Sequence, residues 1–128
     1  MTSALYTSLS AFIIVWLSLN VIKTRRERKI SIGDGEDTRL RIAIAAQLNA
    51  VEYIPIALLL LILLEYNGAN LVVVHIFGLL LITGRVIHAS AILTENMNNR
   101  VRGMQITIWV LIGLAIANLL FLPYNKYV

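Results

Sequence analysis

Four uninterrupted apolar runs, about Ala4 to Ile22, Ile42 to Leu64, Leu71 to Leu93 and Val101 to Leu122, leave this chain of 128 residues little choice of fold. Each is long enough for a helix to cross roughly 30 Å of hydrocarbon, and together they leave almost nothing for a soluble domain. A hydrophobic share of 59% and a charged share of only 14% agree with that reading. Strands are disfavoured because the runs are continuous rather than alternating, and an open sheet in lipid would strand its backbone amides and carbonyls. The sequence therefore predicts an all-α integral membrane four-helix bundle. It forms a single domain over residues 1–128, with helices at about 4–22, 38–66, 71–94 and 101–122. The first run reads as a retained helix rather than a signal peptide, since its basic cluster follows the apolar stretch instead of preceding it.

The net charge of +4 does not point to nucleic acid, because its placement is that of a topology signal. Lys23, Arg25, Arg26, Arg28, Lys29, Arg39 and Arg41 lie in or near the first loop, and Arg100 and Arg102 in the third. The second loop, EYNGAN, has no Lys or Arg. Loops one and three are thus expected in the cytoplasm, near anionic lipid headgroups, with both termini on the opposite side. The chain has no cysteine, which excludes disulfides, thiolate metal sites and a protein thiol nucleophile. No metal site is expected.

Within this frame the first loop, KTRRERKISIGDGEDTRL, is the one extended polar segment, turning at Gly33 and Gly35. Thr38 or Asp37 is placed to cap the second helix, Asn67 and Gly68 to end it, Asn96 to Asn99 to form the third loop, and Pro123 to close the fourth span. Pro55 deprives the Val51 carbonyl of its helical donor, which loosens or bends the helix beside Glu52. Tyr6, Trp16, Tyr53, Tyr66, Trp109, Tyr124 and Tyr127 are scattered, and several suit an interfacial belt.

The polar residues inside the spans need an explanation, because intramembrane charge is costly and usually faces a partner or a wet cavity. Asn49 and Glu52 are spaced i,i+3 on the second helix, Arg85 and His88 are spaced i,i+3 on the third, and Arg102 opens the fourth. With the topology above, all five fall at a similar depth on the same side. A purely structural account pairs Glu52 with Arg85, with Asn49 and His88 as interhelical hydrogen-bond partners. His75, near the other face, reads as structural or interfacial. Four short helices enclose little space, so a cavity for such groups is expected between subunits of an oligomer.

These residues also carry a resemblance. VIKTRR after helix one, the IGDGED turn, QLNAVEYIPIALLLLILLE and the GRVIHA segment resemble the MAPEG family, the membrane-associated proteins in eicosanoid and glutathione metabolism, in its short bacterial inner-membrane form. The combination NxxEYxP followed by GRxxHA carries the match. The resemblance implies a homotrimer with glutathione, a co-substrate, held between neighbouring subunits near the cytoplasmic face. It assigns glutathione binding to Asn49, Glu52, Arg85 and His88 and to a basic residue ending helix one, most simply Lys23, with Arg25 or Arg26 as alternatives. It makes Arg102 the cation near the thiol. There are departures: Ala45 stands where many relatives have an arginine, with Arg41 one turn earlier on the same face as its substitute. Ala89, Ser90, Ala91 and Ile92 occupy the stretch where many have a tyrosine, and Gly103 replaces a serine found in some enzymes.

The expected function is a glutathione transferase or peroxidase acting on lipophilic electrophiles or hydroperoxides that arrive through the bilayer. A non-catalytic binding or scaffold protein keeping the same fold is the alternative, motivated by Ala45 and the missing tyrosine. A transporter or channel fits less well, since Leu58 to Leu64 has no polar group and Leu71 to Leu81 only His75.

Overall fold

The computed structural model describes residues 1–124, so Tyr127 lies outside the described residues. It consists of α1 (Ser3–Arg28), α2 (Thr38–Tyr66), α3 (Leu71–Leu93) and α4 (Met97–Leu120), all long and apolar enough to cross a membrane. α2 and α3 form the centre. α1 packs against both from one side and α4 against both from the other, and α1 and α4 do not meet.

Two boundaries differ from the sequence expectation. α1 continues past Ile22 through KTRRER, because those residues are good helix formers once in water and their charges face the negative end of the helix dipole. It stops where Lys29 turns left-handed at φ 56°. α4 begins at Met97 rather than Val101, since the Asn96 side chain accepts from the Asn99 amide and draws the third loop into the first turn. The other caps fall as expected: Asp37 accepts from the Leu40 amide at 2.9 Å, and Gly68 takes φ 88° after Tyr66. α2 runs unbroken through Pro55.

Small residues let the helices approach closely. α2 turns Ala43, Ala46, Ala50 and Ala57 inward with Ile54, Leu61 and Leu64. A Cβ on Gly78 of α3 would lie 2.4 Å from the Tyr6 ring, so glycine there makes room for a tyrosine buried to 1% exposure. That Tyr6 hydroxyl sits 2.6 Å from Nδ1 of His75, whose ring meets it edge-on, giving His75 a packing partner. Glu65, at the end of α2, accepts from the backbone amides of Thr2 and Ser3 and so caps α1 from another helix. Apolar residues such as Phe12, Leu79, Trp109 and Ile116 face outward, as membrane-embedded helices require.

The loop joining α1 to α2 is tied down by its own side chains. The Arg25 guanidinium donates to the Gly33 carbonyl at 2.7 Å, Arg41 Nε donates to Asp34 Oδ2 at 3.0 Å, and the Glu36 amide donates to Asp34 Oδ1 at 3.0 Å. The Glu36 amide first, and Arg41 second, hold the Asp34 carboxyl below its ordinary value of 3.8. A folded-state value below the unfolded one means that the ionised form supports the turn above the ordinary value, and the support disappears as pH falls through the lowered one. Limited proteolysis of the loop is therefore expected to be unchanged from pH 7 to about pH 5 and to speed up only in stronger acid. Cleavage accelerating already near pH 6 would place the control elsewhere.

Candidate functional site

The α2–α3 pair brings Arg85, Asn49 and His88 together. Arg85 is buried to 1% exposure, and its Nη2 donates to Asn49 Oδ1 at 2.6 Å and to His88 Nδ1 at 2.8 Å. An arginine has only donors, so His88 Nδ1 is the acceptor and its ring proton sits on Nε2. Nη1 reaches Thr107 Oγ1 on α4 at 3.4 Å, and Thr107 in turn donates to the Gly103 carbonyl at 2.9 Å. The guanidinium carbon lies 5.7 Å from the centre of the Tyr53 ring, within cation–π range. Nε has no partner. The result is a buried brace that joins three helices through one cation.

α4 reaches this level by coming unusually close to α3. A Cβ on Gly103 would stand 2.6 Å from the backbone nitrogen of His88, and one on Gly84 would stand 2.8 Å from Ile106. Glycine at position 103 thus seats α4 directly on the His88 backbone. Because Gly103 abuts His88, its neighbour Arg102 lies at the depth of Arg85 and Asn49.

The common level holds, but the shared direction does not. The Glu52–Arg85 pair of the purely structural account is absent, since Glu52 is exposed and no carboxylate lies within ion-pair reach of Arg85 among the described residues. The physical reason is helical phase: Glu52 sits one turn on from Asn49 but on the outward line of α2, with Arg41, Ala45, Leu48, Pro55 and Leu59. Arg102 is also exposed. It closes the basic end of a groove of about 570 Å³ between α3 and α4, lined by Phe77, Leu80, Gln105, Ile106, Trp109 and Val110. Arg41 pairs with Asp34 and, with Arg100, flanks a smaller hollow of about 380 Å³ over Ala45 and Ile92. Lys23 and Arg26 face outward, whereas Arg25 is occupied by the loop carbonyls. Within the protomer the site residues thus divide into an internal set and an outward-facing set.

Three contributors were not singled out from the sequence as site residues. Tyr53 lies inside the NxxEYxP motif and was read only as an aromatic. Thr107 gave no signal beyond being a hydroxyl in a span. Gln105, an amide three residues after Arg102, was legible as a polar group in an apolar run.

A multi-pass helical bundle with this motif pair on α2 and α3 defines the class. The family model for the MAPEG family matches residues 3–120, and the chain belongs to that family. It is 39% identical over 125 residues to the inner membrane protein YecN of Escherichia coli strain K12, and equally to that of Escherichia coli O6:H1, covering 98% of this chain and 95% of each relative. It is a multi-pass protein of the bacterial inner membrane.

Proposed function

We propose that the chain assembles as a homotrimer and works as a glutathione-dependent transferase or peroxidase on lipophilic electrophiles or hydroperoxides, with the glutathione site between subunits on the cytoplasmic side. Glu52 is the observation that carries this reading. It lies midway along α2, is exposed, and has no hydrogen-bond or ion-pair partner among the described residues. A carboxylate at that depth is not left against lipid, so its line on α2 must face another protein surface or a wet crevice. The spacing of that line, Arg41, Ala45, Leu48, Glu52, Pro55 and Leu59, alternates four and three residues, which suits helix-on-helix packing between copies.

The chemistry of glutathione fits the groups left free. Its ammonium needs one anion, which Glu52 supplies. Its two carboxylates need donors, available from the Nη groups of Arg41, whose Nε is held by Asp34, from Lys23 and from the amide NH2 of Asn49, whose oxygen is already taken by Arg85. Arg85 and His88 then act as positioning residues: they hold Asn49 and α4 in place without touching the ligand. Arg102 remains the candidate for the thiol. Lowering a thiol pKa of about 8.5 by one unit raises the thiolate share at pH 7 from roughly 3% to roughly 24%.

The test is the ultraviolet thiolate difference spectrum of the purified protein with glutathione, alongside calorimetry. A thiolate band that disappears in Arg102→Ala, with binding heat retained, is the expected result. A flat spectrum with no heat of binding would remove the proposal. Binding heat without a band, and no turnover of cumene hydroperoxide, would favour the non-catalytic reading that Ala45 and the run Ala89 to Ile92 motivate.

A further inference from the structure

The hollow of about 380 Å³ at the end of the bundle nearest the first and third loops is shared by α2, α3 and α4. Its floor is Ala45 on α2 with Ala91 and Ile92 on α3, and the two alanines leave the space open. Arg41 and Arg100 flank it from α2 and α4. Arg41 uses Nε on Asp34, which leaves both of its Nη groups as donors, and Arg100 has no ion-pair partner among the described residues. Glu95 is the one carboxylate in the lining. Two forked cations and one anion around a small apolar floor suit a carboxylate that carries an N–H beside it: the guanidinium groups take the oxygens and Glu95 takes the N–H. A bare phosphate would set Glu95 against a like charge.

The distance to Glu52 selects which carboxylate this is. Ala45 lies on the same outward line of α2 as Glu52, seven residues earlier and so about 10 Å away along the axis. An extended tripeptide also spans about 10 Å. With its ammonium on Glu52, glutathione brings its opposite end, the glycine carboxylate and the amide N–H next to it, into the hollow. We propose that the hollow is the subsite for this glycine end and that Arg100 is, with Arg41, one of its two carboxylate donors. The γ-glutamyl carboxylate, beside the ammonium, is left to Asn49 and Lys23. The inference rests on the function proposed above, whose co-substrate it lays along α2 in a stated direction.

The experiment is calorimetry of the protein in nanodiscs of zwitterionic lipid, with glutathione and with its glycine ethyl ester, which keeps the thiol and the ammonium but has no charge at that end. Glutathione is expected to bind about tenfold more tightly than the ester, the gain of one charge-assisted hydrogen bond. Arg100→Gln should erase that difference by weakening glutathione and leaving the ester unchanged, and Arg100→Lys, which keeps the charge without the fork, should retain part of it. Arg100 is exposed, so neither variant disturbs the packed interior. Equal binding of acid and ester by the unaltered protein would overturn the inference, and so would a difference that survives Arg100→Gln. A difference that disappears only in discs containing phosphatidylglycerol would assign the hollow to a headgroup phosphate and overturn it as well. A thiolate band with equal binding of acid and ester would refute the subsite alone. The tenfold difference without a thiolate band would keep the subsite and refute only the catalytic reading, and binding of neither ligand would refute both.

Discussion

Asn49→Leu is expected to destabilise the bundle by about 2–3 kcal/mol, far more than the small change in side-chain volume implies. Leucine fills nearly the same space, so the cavity contribution is minor, and the loss is a hydrogen bond to a buried charged group, worth roughly 1.5–3 kcal/mol. Arg85 would be left with His88 Nδ1 at 2.8 Å and Thr107 at 3.4 Å as its remaining acceptors. Removing the cation as well should recover part of the loss, since Arg85→Met eliminates the group that needed the amide. The double variant is therefore expected to be more stable than the sum of the two single effects by about 1 kcal/mol or more. Reversible unfolding in mixed micelles, followed by tryptophan fluorescence, reads all three. Strict additivity would mean that Asn49 and Arg85 are not coupled.

The second large effect is expected at Gly103. Serine or alanine there places a Cβ 2.6 Å from the His88 nitrogen and 2.8 Å from its Cα, atoms that cannot rotate away. α4 would have to lift off α3, weakening the closest helix pair and stretching the contact from Thr107 to Arg85. Overpacking of this kind costs about 3 kcal/mol, the upper end of its usual range. Gly103→Ala and Gly103→Ser should be equally damaging, because the Cβ and not the hydroxyl makes the clash. If serine were tolerated and alanine not, a hydrogen bond would be rescuing it and the close approach would not be what selects glycine. The α3–α4 packing of this chain is therefore what requires glycine at position 103.

Much of the architecture was legible because the bilayer imposes a strict rule on the backbone. Four runs of apolar residues can satisfy their own amides and carbonyls in lipid only as helices, so span number and class follow from hydropathy. The caps at Asp37 and the end at Gly68 were legible for a similar local reason, since Asp and Gly have few other uses at those positions. The two misplaced ends lie in water, at KTRRER and NMNNR, where hydropathy falls silent and helix propensity and an Asn96 cap decide instead.

The candidate site was legible in its residues but not in its directions. Spacing placed Asn49, Arg85, His88 and Arg102 at one depth, and the Asn49–Arg85 and Gly103–His88 contacts agree. It did not say that Glu52 would turn away from Arg85, because i,i+3 spacing leaves two residues on neighbouring faces and the small inward alanines of α2 settle which face is inside. What the sequence by itself determined was four membrane helices, the family and the level at which polar groups gather, all properties of local composition and spacing. Only the tertiary structure decided that Arg85 is a neutral-partnered internal brace while Glu52, Arg102 and Gln105 look outward, because the rotation of each helix about its axis is set by how its small and large residues pack against its neighbours.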